Sequence, residues 1–159
     1  MKHFLSIVFL CLSIFMFSSC SDPCKNVECN NGLCLEGTCL CNTGYTGSDC
    51  STEVREVYLG LWKSDSWVCD GDGDDATLLI SKGTSILELN VLAEGSNLIA
   101  NIEGDEIIFL DQTIIDGGET VNLSGNASIL NNELTLKLLV NLNEPNSEPY
   151  YCVGVFKKQ

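Results

Sequence analysis

Six cysteines fall within the 27 residues from Cys24 to Cys50, CKNVECNNGLCLEGTCLCNTGYTGSDC. A stretch this short cannot bury enough apolar surface to fold unaided. Below about 40 residues a chain usually needs disulfides or a metal to hold a structure. Sulfur chemistry must therefore organise this region, and the cellular compartment decides which staple is used.

The start of the chain speaks to compartment. Met1-Lys2-His3 precedes 14 mostly apolar residues, Phe4 to Phe17, and then Ser18-Ser19-Cys20. A basic start, a short apolar run and small residues at its end form the pattern of a secretory signal peptide. The run is too short to span a hydrocarbon core of about 30 Å comfortably. Its end resembles the lipobox of bacterial lipoproteins, in which a cysteine after small residues is lipidated and becomes the new N-terminus. Phe17 departs from that pattern, which prefers Leu or Val. The resemblance implies that residues 1–19 are removed, that Cys20 carries the lipid, and that the membrane is a partner, at the outer membrane or cell surface. Two or more acyl chains give stable anchoring, since each buried methylene contributes about 0.8 kcal/mol. Cleavage after Ser21 would instead release a secreted protein. Cys11 leaves with the leader and lipidation would consume Cys20, so an even set of eight of the ten cysteines remains. In an exported chain these meet oxidising conditions, which favours disulfides over a zinc cluster.

The spacing C-x4-C-x4-C-x4-C-x-C-x8-C leaves many pairings open. Its second half, C-x-C followed by x2-G-Y-x-G-x2-C, contains Gly44-Tyr45-Thr46-Gly47. It resembles an EGF-like module of the compact tenascin-like kind, over residues 24–50. The resemblance implies the disulfides Cys24–Cys34, Cys29–Cys39 and Cys41–Cys50. Calcium-binding EGF-like modules carry acidic and aromatic signatures that Ser21-Asp22-Pro23 and Leu35-Glu36-Gly37-Thr38 do not match, so no calcium is expected there. Such modules serve more often as spacers or contact surfaces than as catalysts.

A formal net charge of −14 repels phosphate backbones and argues against nucleic-acid partners. The single histidine, His3, lies in the leader. A mature chain without histidine has no Ser-His-Asp triad, no Cys-His pair and no histidine zinc site. Paired carboxylates of the glycosidase type remain conceivable, but no acidic pair is singled out. No enzymatic activity is expected.

Residues 51–57 read as a short polar linker, and residues 58–159 as a series of short apolar runs. The expected strands are 58–69, 77–82, 85–92, 97–103, 106–111, 120–130, 133–142 and 149–157. Leu134, Leu136, Leu138, Val140 and Leu142 alternate with polar residues, the period of a strand with one wet face. Lys82-Gly83, Glu94-Gly95-Ser96, Gly104-Asp105 and Asn131-Asn132 suit hairpin connections. Gly125 suggests a bulge or sharp bend. Consecutive strands without helix-length gaps predict an all-β antiparallel meander of eight strands, and closure into a barrel would remove its edges. A Cys69–Cys152 bond would tie the first strand to the last, although a sandwich could also accommodate it. The chain-entropy model assigns roughly 4.5 kcal/mol to that closure. Gly60-Leu61-Trp62 on the first strand resembles the G-x-W element of lipocalin-like (calycin) barrels, which implies a reduced barrel of that kind.

Trp62 and Trp67 lie five residues apart, so a regular strand points them to opposite faces. Trp62 is a candidate ligand contact, but a core plug at the closed end is the preferred reading. Trp67, with Tyr150 and Tyr151, is expected to border an opening, although an interior filled with side chains is favoured over a pocket. Asp70, Asp72 and Asp74 alternate as in the start of an EF-hand loop, but Asp75 and Ser81 break that pattern. An acidic turn is the preferred reading, with a weak calcium site at 70–75 as the alternative and no other cofactor. The function expected is that of a non-enzymatic, membrane-anchored surface lipoprotein contacting a protein or glycan. The alternative is a carrier of a small apolar ligand inside the barrel.

Overall fold

The computed structural model describes residues 22–116 and 118–159. The leader and Cys20 lie outside the described residues. The chain divides into two compact units, one of residues up to Asn42 with Gly47–Ser51, the other of Thr43–Thr46 with Thr52–Gln159.

The first unit is held by covalent bonds around one hairpin, β1 (Gly32–Leu35) and β2 (Thr38–Cys41). Glu36-Gly37 turns the chain with positive φ at both residues, 50° and 83°, as a tight two-residue turn requires. Disulfides join Cys24 to Cys34, Cys29 to Cys39 and Cys41 to Cys50. The side chain of Asn31 donates to the Cys50 carbonyl at 3.0 Å, and that of Asn30 to the Asp49 carbonyl at 3.2 Å. Cys50 is the one buried apolar residue here among the described residues. Crosslinks therefore take the place of a core.

The second unit begins with a two-strand ribbon, β3 (Tyr45–Thr46) and β4 (Thr52–Glu53), and a 3-10 turn at Val54–Val57. Residues 52–57, expected within a linker, thus belong to a folded unit. Then follow β5 (Gly60–Cys69), β6 (Asp72–Gly73), β7 (Thr77–Lys82), β8 (Glu88–Ala93), β9 (Ser96–Glu103), β10 (Glu106–Asp116), β11 (Glu119–Leu130), β12 (Glu133–Leu142) and β13 (Tyr150–Lys158). All but the two-residue β6 form a meander in which β13 pairs back onto β5, closing an antiparallel barrel of eight strands. Cys69 stands directly opposite Cys152 across that closing seam, and the two are bonded.

Turn chemistry sets the meander. Glu94-Gly95 and Asn131-Asn132 have positive φ throughout, and Gly104 alone is positive in its pair, as primed hairpin turns require. Inward residues alternate along each strand and converge on one core of Trp62, Leu89, Val91, Ile107, Leu134, Leu136 and Phe156.

Two bulges shape the wall. In β5 the pairing with β13 slips by one residue at Asp65, so Ser66 faces Val155 while Ser64 faces Phe156. In β10 the pairing with β11 slips between Phe109 and Gln112, opposite the stretch that holds Gly125. A side chain at Gly125 would collide with the Lys137 carbonyl and Leu138. That glycine thus allows close backbone approach, while the bulge itself is on the partner strand. Beyond Ile108, β10 leaves the β9 ladder. The Gln112 side chain fills the gap: it accepts from the Ile99 N–H and donates to the Ile99 carbonyl, both at 2.9 Å.

One end of the barrel is sealed. Trp62, 1% exposed, donates from Nε1 to the Tyr58 carbonyl at 2.7 Å, and the Lys158 ammonium lies 5.6 Å from its ring centre. Nearby, the buried Arg55 donates to the Ser85 carbonyl at 2.6 Å and to Glu53 at 2.8 Å. The hydrogen bond from Arg55, then that from Lys82, holds the Glu53 carboxyl below its usual range. Backbone and hydroxyl donation from Thr84 does the same for Glu88.

Candidate functional site

The opposite end is open. The bulge at Asp65 adds one residue to β5 and reverses the alternation beyond it. Trp67 therefore points inward, as Trp62 does, which corrects the expectation of opposite faces. Its ring packs against Phe156 with centroids 5.7 Å apart and lies over Gly154. A Cβ on Gly154 would sit 2.5 Å from the Trp67 ring, so the glycine makes the room that Trp67 occupies.

Above this ring pair the interior is not filled. A cavity of about 390 Å³ opens at the mouth, walled by Trp67, Leu98, Ile114, Val121, Leu123, Leu138, Val140, Leu142 and Tyr150, with the Cys69–Cys152 disulfide on one side. The volume falls in the lower part of the range of small-molecule sites, roughly 300–1,000 Å³. The expectation of a filled interior therefore describes the Trp62 end and fails at the mouth. At the Trp62 end, Trp62 and Phe156 pack among Leu89, Val91, Ile107, Leu134 and Leu136 and are fully buried, whereas at the mouth Trp67 and Tyr150 stay only partly buried.

The sequence-selected aromatics separate accordingly. Trp67 and Tyr150 line the cavity. Tyr151 alternates outward and is exposed. Trp62 sits at the sealed end, as a core residue. A different hollow, of about 510 Å³, lies on the outside at that end, between Trp62, Asn131, Glu133 and Lys158. Val57, Asn132 and an ion-paired Lys157 also border it.

Among the described residues of this unit, turns frame the mouth. Glu94-Gly95 joins β8 to β9 at the rim, and the loop 143–149 is pinned by the Ser147 hydroxyl donating to the Leu142 carbonyl at 2.8 Å. Asp70-Gly71 turns β5 into β6 with positive φ at both residues. Asp70, Asp72 and Asp74 are all exposed around this hairpin. Among the described residues no three Asp, Glu, Cys or His side chains gather in a way that would hold a metal ion. The acidic residues lining the cavity are Glu94 and Glu119, both exposed at its rim.

Sequence reasoning missed Leu98, Ile114, Val121 and Leu123 as wall residues. Their alternation marks them as inward-facing, but nothing in it separates a packed layer from an empty one. No protein-family model matches the chain, and no curated protein matches it.

Proposed function

We propose that this protein is a non-enzymatic, exported binding protein whose barrel accepts one small, largely apolar molecule at its open end. The observation that carries the reading is the mouth cavity: largely apolar walls above a floor of packed side chains that includes Phe156 and Trp62. Burial of apolar ligand surface there contributes about 25 cal/mol per Å² before the costs of association. The barrel is read as a reduced lipocalin-like (calycin-type) fold on the strength of Gly60-Leu61-Trp62, with Trp62 at the sealed end. The disulfide-rich unit is read as an EGF-like spacer, and Cys20 as a lipid anchor that places the molecule on a membrane surface, with secretion as the alternative.

A second reading, as a module contacting another protein or a glycan, is favoured by the first unit. On the β1–β2 hairpin Leu33 and Leu40 stand directly opposite each other, with Leu35 two positions along the same face. They are 72%, 63% and 64% exposed. An apolar face of this kind commonly marks a contact surface.

The test of the carrier reading uses protein purified under non-denaturing conditions from its own host. Native mass spectrometry is expected to show a non-covalent small molecule that is lost on unfolding. Val140→Trp, which fills the cavity from its wall, is expected to abolish binding while shifting stability by no more than about 1–3 kcal/mol. Unchanged ligand occupancy in that variant would rule the mouth out as the site.

A further inference from the structure

Among the described residues the charged side chains lining the cavity are carboxylates only, and the geometry points to a ligand with an apolar tail and a cationic head, such as a long-chain or aromatic amine. This inference rests on the carrier reading and narrows it. Glu94, on the β8–β9 turn, and Glu119, at the start of β11, line the cavity from two separate elements of the mouth. The hairpin after β5 and the loop before β13 carry further exposed carboxylates, Asp70, Asp72, Glu144 and Glu148.

The cations of this unit are elsewhere. Arg55, Lys82, Lys157 and Lys158 belong to the sealed end, where they are paired with carboxylates or stacked on Trp62. Lys63 and Lys137 are exposed part-way along β5 and β12, one and three residues short of the inward Ser64 and Val140. Among the described residues no cation lines the cavity.

Two consequences follow from this segregation. A fatty acid or other anionic amphiphile would place its head among carboxylates with no counter-charge, which is unfavourable. A cationic head at the rim would find the carboxylates of Glu94 and Glu119 among the lining residues, while its tail displaced water from the apolar wall. The field of the rim would also raise the local concentration of cations and speed their capture.

Decylamine, decanol and decanoate share a tail and differ in the head, so titration of the disulfide-intact protein with each separates the terms. Decylamine is expected to bind about tenfold more tightly than decanol, the effect of two exposed carboxylates acting on one charge, with decanoate weakest. Added salt should narrow the gap, since rim charges are screened. In a Glu94→Gln/Glu119→Gln double variant the ratio of decylamine to decanol affinity is expected to fall to near one. Equal binding of amine and alcohol by the native protein, or a ratio that survives in the variant, overturns the cationic assignment and leaves the apolar carrier intact. Failure of all three probes to bind overturns both.

Discussion

Replacing Trp62 with alanine is expected to lower the unfolding free energy of the barrel by about 3–5 kcal/mol, the range for truncating a large buried aromatic. Three contributions combine at this position. The side chain is 1% exposed and belongs to the same core as Tyr58, Leu78 and Phe156, so truncation leaves a void that a closed barrel wall cannot collapse to fill. Its Nε1–H donates to the Tyr58 carbonyl at 2.7 Å, and loss of the donor strands an acceptor in a buried site. The Lys158 ammonium above the ring also loses its aromatic partner. Trp62→Phe retains most of the apolar volume and should cost clearly less. Denaturant melts of both variants check the ordering, and a loss below about 1 kcal/mol for Trp62→Ala would contradict the assignment of this end as the sealed floor.

Reduction is expected to separate the two units. Among its described residues the first has a single buried apolar residue, Cys50, which is itself half of a crosslink. Each of its three disulfides closes a loop of about ten residues and contributes roughly 2.5–3 kcal/mol in the chain-entropy model. Without them no core remains to hold β1 against β2. The barrel loses its Cys69–Cys152 bond as well, but keeps a continuous hydrogen-bonded ring and an apolar interior. Hydrogen exchange after mild reduction should therefore show β1 and β2 amides unprotected while β11 and β12 stay protected. Persistent protection in β1 and β2 would show that the first unit is held by something other than sulfur.

Much of this architecture was legible from local chemistry. Alternating Leu134, Leu136 and Leu138, and paired turn residues such as Asn131-Asn132, dictate strand and hairpin together, and the eight expected strands match the eight of the barrel. The strand expected to end at 111 continues to Asp116, because the bulge after Phe109 breaks the period that marked it. Asp65 was invisible for a similar reason: a bulge residue has no composition of its own, yet one extra residue turns Trp67 from outside to inside. Gln112 and Arg55 escaped notice because their roles depend on backbone groups distant in sequence, the Ile99 amide pair and the Ser85 carbonyl. The cavity was hidden for a deeper reason. Alternation tells which side chains face inward, and only their packing in three dimensions tells whether they meet.

The chain has two tryptophans, and both point into the barrel from opposite ends, which supplies the most direct measurement of a sealed floor beneath an open mouth. Indole N–H signals followed by NMR during a decanol titration should show the Trp67 resonance shifting with ligand while that of Trp62, bonded to Tyr58, stays fixed and exchanges slowly with solvent. Movement of the Trp62 signal alone, or of neither, would contradict the account.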